Sequence, residues 1–127
     1  MKKHKHAVGL LQKARDDLRA LQGMLETKTF TDEIFGFHAQ QAIEKALKAW
    51  IDSIGLEYPI THDINGLLRV LGKSGMIVHE HKFLTSFNPY AIQFRYVTSE
   101  GKMPAIDRKK AIDGITKLLE RIAKALE

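Results

Sequence analysis

The sequence predicts an all-α protein, an antiparallel bundle of four to five helices. Three observations predict it. Apolar residues recur at three- and four-residue steps along most of the chain. No alternating run rich in Val, Ile and Thr reaches strand length. The three prolines, at 59, 89 and 104, each stand beside a break in the periodicity. Long helices joined by mostly short loops fold back on one another, which makes sequence neighbours antiparallel. The 127 residues fit a single domain, 1–127, and a chain of that size buries roughly two thirds of its unfolded surface without covalent staples.

The first helix is expected from about Lys5 to Glu26. Val8, Leu11, Leu18, Leu21 and Leu25 share one face, and Arg15, Asp16 and Arg19 fall on the solvated side. After a polar connection over 27–31, Thr31 is suited to cap a second helix, with Asp32 and Glu33 in its electropositive first turn. That helix runs to about Ile54. Its arc of Ala39, Ala42, Ile43, Ala46, Leu47, Ala49, Trp50 and Ile54 is wide enough to touch at least two neighbours. Gly55 follows as a stop.

Thr61 or Asp63 caps a third helix, to about Lys73, which buries Ile64, Leu67, Leu68 and Leu71 and is closed by Gly72 and Gly75. A fourth segment, about His79 to Tyr96, carries Phe83, Leu84, Phe87, Tyr90, Ala91 and Phe94 at helical spacing. Asn88-Pro89 interrupts it, which predicts two short helices or one kinked helix. Residues 97–103 form a polar loop. The last helix, about Asp107 to Leu126, buries Ala111, Ile115, Leu118, Leu119 and Ile122.

Composition narrows the chemistry. There is no cysteine, which excludes disulfides and thiolate sites and suits a reducing cytoplasm. Met1 to His6 is basic like the start of an export signal, but the apolar stretch Ala7–Leu11 stops at Gln12, too short for a signal or a membrane span. A soluble cytoplasmic protein is expected, with no metal and no cofactor. The net charge of +5 favours anionic partners, namely nucleotides, nucleic acid or an acidic protein face, though it equally serves solubility.

Four of the six histidines form two His-x-His pairs, His4/His6 and His79/His81. Alternate residues point apart on a helix, so neither pair makes a metal site there. His38, at the edge of the apolar arc, fits a helix-contact histidine bonded to a carboxylate or backbone. His62 stands at a helix start, where either a cap residue or an anion ligand belongs. Gln41, Lys45 and Lys48 form a patch on the second helix, and Glu44 lies four residues before Lys48; a solvated ion pair has the same spacing. Arg95-Tyr96 pairs a guanidinium with an aromatic ring, a combination suited to phosphate contact with base stacking or to a helix end. Neither a Gly-rich phosphate loop nor a nucleophile elbow is present.

Three stretches together resemble the HEPN domain family: Phe37-His38-Ala39-Gln40-Gln41-Ala42-Ile43-Glu44-Lys45-Ala46-Leu47-Lys48-Ala49, then Thr61-His62-Asp63-Ile64, then Phe94-Arg95-Tyr96. The resemblance covers nearly the whole chain. It implies a helical bundle, commonly a homodimer, encoded beside or fused to a minimal nucleotidyltransferase, with many members in toxin–antitoxin pairs. Some members are metal-independent ribonucleases that use an arginine followed, after four to six residues, by a histidine. None of the arginines here (15, 19, 69, 95, 108, 121) has a histidine at that interval, so no general base is supplied in the usual place. The resemblance therefore implies nucleotide-binding candidates, Lys45, Lys48, His62, Arg95 and Tyr96, with no catalysis by the chain alone. An altered ribonuclease pairing His62 with Arg95 is the alternative. A purely structural dimer is the third reading, in which Ile34 and Phe37, apolar residues in the polar arc, mark the interface; the alternative for them is contact with the aromatic segment 83–94 inside one subunit.

Overall fold

A computed structural model of the protein describes residues 4–26, 28–91 and 104–127. The elements are α1 (Lys5–Gly23), α2 (Asp32–Ser53), α3 (Ile64–Lys73), a 3-10 helix η1 (His79–Ala91) and α4 (Arg108–Ala125). No strand occurs among the described residues, and the all-helical fold class is the one predicted. Arg95 and Tyr96, with the expected end of the fourth helix and the 97–103 loop, lie outside the described residues.

α2 packs against every other element, while α1 and α3 do not meet. Its composition explains the central position. Ala39, Ala42, Ala46 and Ala49 let neighbouring backbones approach, while Phe35 and Trp50, both fully buried, fill the wider gaps. Burying one large apolar side chain contributes about 1.5–3 kcal/mol, so this helix supplies much of the core. Thr31 caps it as expected, its side chain accepting from Ile34 N at 3.3 Å. At the far end Gly55, at φ +83°, donates to Asp52 O, and Leu56 N to Ile51 O. That paired closure needs the left-handed backbone only glycine adopts readily.

The buried face of α1 is rotated from the expected one. Ala7, Leu11, Ala14 and Leu21 are buried, with Leu18 partly so, whereas Val8 is 53% and Leu25 44% exposed. Small residues at 7 and 14 admit α2 more closely than Val8 would, so proximity outweighs side-chain size. Leu25 also falls past the helix end at Gly23, three residues before the expected end.

The segment after α3 departs most from expectation. Residues 79–91 form one continuous 3-10 helix with Pro89 inside it. Its buried residues are His81, Leu84, Phe87 and Tyr90. A three-residue period stacks side chains into one straight stripe, and that stripe is the face laid against the core. Asn88 starts no new helix. Its side chain caps α3 instead, accepting from Ile64 N at 2.8 Å and donating to Asp63 Oδ1 at 2.8 Å. Asp63, not Thr61, is the N-cap residue of α3.

Two helix glycines receive η1. A methyl at Gly36 in α2 would overlap the ring of Tyr90, and one at Gly114 in α4 would overlap Phe83. The chain is tied at a third place by Arg108. Its guanidinium, 5% exposed, donates to Met24 O (2.7 Å), Phe30 O (2.6 Å) and Asp32 Oδ1 (2.9 Å) and lies over the Phe35 ring. No helix among the described residues is long and apolar enough to cross a membrane.

Candidate functional site

Two ion-paired clusters form on α2, on different sides of the helix. The first is built on Glu44. Gln40, Glu44 and Lys48 are spaced four apart and so lie along one stripe. Gln40 and Glu44 are buried, because the connection from α2 to α3 folds back over them. Glu44 Oε1 accepts from Gln40 Nε2 at 2.9 Å and from His62 Nδ1 at 3.0 Å, and Oε2 accepts from Lys48 Nζ at 2.8 Å. Gln40 Nε2 also donates to His62 O at 3.1 Å, and Gln41 Nε2 to Gln40 Oε1 at 2.8 Å. Gln40 thus holds both the carboxylate and the loop backbone that carries the histidine.

Burial by itself would raise the Glu44 pKa. The hydrogen bonds from Lys48, Gln40 and His62, with the lysine charge, outweigh it and hold the carboxyl below the ordinary 4.5. A carboxylate only accepts, so Nδ1 of His62 carries the hydrogen and Nε2 is left outward. The His62 side chain is 71% exposed although its inner nitrogen is anchored. Lys48 Nζ also lies 5.3 Å from the centroid of the Tyr58 ring, and Tyr58 Oη meets His6 Nε2 at 2.7 Å. The cluster therefore extends from Gln41 to the start of α1.

The second cluster is built on Asp17 of α1. Lys45 Nζ donates to Asp17 Oδ2 at 2.8 Å, and His38 Nδ1 stands 3.4 Å from Asp17 Oδ1. His38 is thus the carboxylate-bound helix-contact histidine expected. His38 and Lys45 are seven residues apart, so both face α1.

The sequence-derived candidates are accordingly divided. Lys48 and His62 meet at Glu44; Lys45 turns to Asp17. The histidine pairs separate too. His81 is buried edge-on to Trp50 with ring centroids 5.8 Å apart, while His79 is exposed. Gln40 and Glu44, the buried centre of the larger cluster, were not candidates; their spacing before Lys48 was the available signal.

The sequence profile of the HEPN domain matches residues 7–127, nearly the whole chain. No curated protein and no solved structure matches it. The chain belongs to the HEPN domain family.

Proposed function

We propose, from that membership, that the protein is a HEPN-type binding module acting as a homodimer. It binds a nucleotide, or a minimal nucleotidyltransferase subunit with which it forms a toxin–antitoxin pair, and has no catalytic activity alone. One observation carries this reading: residues from two separate family-like stretches, Gln40, Glu44 and Lys48 with His62, converge on one buried carboxylate. A buried ion pair is weak support for stability, so a cluster this complete suits the positioning of an exposed imidazole beside a part-buried ammonium. A phosphate oxygen would accept from His62 Nε2–H, when the ring is protonated, and from the remaining hydrogens of Lys48. The dimer contact is proposed at Ile34, 37% exposed, and the adjacent Phe37.

Calorimetry of the purified chain against ATP, GTP and a minimal nucleotidyltransferase subunit tests the proposal. His62→Ala is expected to weaken the productive titration at least about tenfold, the loss of one charge-assisted hydrogen bond. Heat in none of the three titrations rejects it. Light scattering of Phe37→Asp tests the dimer, which is expected to dissociate.

A second reading has its own support. A buried carboxylate orienting an exposed histidine is the arrangement used to set a general base. A ribonuclease using His62 requires RNA cleavage at micromolar protein that His62→Ala abolishes; uncleaved RNA excludes it.

A further inference from the structure

α3 and η1 face each other across a groove of about 680 Å³. Its floor is aliphatic, formed by Leu68 and Val78, and its rim is cationic. Arg69 and Lys73 come from one side of α3, four residues apart, and Lys82 comes from η1 opposite. All three are exposed, and none has a carboxylate within ion-pair distance among the described residues. This separates them from Lys45 and Lys48, whose charges are matched inside the fold.

The groove holds one carboxylate, Asp63. It already accepts from Asn65 N at 3.0 Å and Asn88 Nδ2 at 2.8 Å, so its charge serves the α3 cap. The groove is therefore a concave surface with surplus positive charge and an apolar base.

These features distinguish among anions. No Phe, Tyr or Trp lines the groove, and the His79 imidazole is its one ring, so successive bases of a single strand would find no row of stacking platforms, the usual source of affinity in such sites. An aliphatic floor matches aliphatic side chains instead. Ile77, 67% exposed and next to Val78 in the chain, adds apolar surface beside it.

We propose that this groove docks an acidic amphipathic segment of a partner protein, with carboxylates at Arg69, Lys73 and Lys82 and apolar side chains on Leu68 and Val78. The site is independent of the nucleotide reading, since it uses none of the residues grouped on Glu44. Charge complementarity sets the choice of partner and the rate of encounter, and the apolar base holds the segment once seated.

Fluorescence anisotropy with the full chain tests this, using as probe a dye-labelled helical peptide of Glu and Leu with its leucines on one face. Two further probes are the same peptide with Gln for every Glu, and a labelled single-stranded RNA. The acidic peptide is expected to bind, and its affinity to fall at least about tenfold in Arg69→Glu/Lys73→Glu. A fall of the same order is expected in Lys82→Glu, on the opposite wall, and at high salt. Far-ultraviolet circular dichroism checks that each variant is folded, and the two walls give independent variants. Four results overturn the proposal: no binding of the acidic peptide, equal binding of the Gln peptide, affinity unchanged by reversal on either wall, or RNA binding more tightly through the same three residues.

Discussion

Glu44 keeps its charge through three side-chain donors, and that has a cost in acid. His81 adds to it. Burial against Trp50 pushes the imidazole below its ordinary 6.5; Glu80 opposes the shift, and Arg121 and His79 reinforce it. Glu80 stands 3.4 Å from Nε2, close enough to attract but outside hydrogen-bond geometry, so that nitrogen is buried without a partner. Both groups take up protons more readily in the unfolded chain, so unfolding consumes protons and stability falls with pH. Urea unfolding is expected to give constant stability between about pH 7 and 9, with a decline that begins as pH drops through 6.5 and steepens below 4.5. His81→Phe keeps a ring on Trp50 and should remove the first decline; a decline unchanged in that variant assigns it elsewhere. At this scale the sequence was informative where contacts are local. Thr31 as a cap and the four-residue Glu44–Lys48 spacing follow from neighbours along the chain. The burial of Glu44 does not, because it depends on His62 and its loop folding back from 18 residues away.

A helix that buries every third residue is recognisable in advance only if that period is sought. His81, Leu84, Phe87 and Tyr90 keep a strict three-residue step, yet Phe83, also apolar, breaks the stripe and suggests ordinary α spacing. Phe83 is instead 40% exposed, lodged at Gly114 under Lys110. The straight stripe brings the Tyr90 ring to α2, Phe83 reaches α4 from off the stripe, and the glycines at 36 and 114 are the notches that receive them. Gly36→Ala gains about 1 kcal/mol of helix propensity, but overlap with a well-packed group costs about 1–3 kcal/mol. Tyr90 is only 8% exposed and has little room to retreat, so a net loss of about 1 kcal/mol is expected by thermal or urea unfolding. In a Tyr90→Ala background the same substitution should become stabilising, and a loss of equal size there would refute the notch. Gly114→Ala should be milder, since the half-exposed Phe83 can swing out.

At the scale of the molecule, helix count and order were legible because periodicity and breaks are sequence properties, and the expected apolar sets of α2, α3 and α4 largely coincide with their buried faces. The rotation of α1 was not legible, since it depends on how closely two alanine-bearing helices approach. Arg108 was equally hidden: nothing local distinguishes a helix-start arginine that binds solvent from one that collects carbonyls 78 and 84 residues earlier. Arg108→Ala leaves Met24 O and Phe30 O without that donor and Asp32 without its cation, a loss of about 3 kcal/mol or more, measurable as a lowered urea midpoint; a change below about 1 kcal/mol would show the staple to be dispensable. The same staple orders events during synthesis. At about 5–20 residues per second, the carbonyl of Met24 waits roughly 4 to 17 seconds for a guanidinium made 84 residues later. Until the ribosome releases α4, the turn joining α1 to α2 has only its local hydrogen bonds, so a nascent chain stalled before residue 108 is expected to expose this turn to proteases more than the chain with α4 docked.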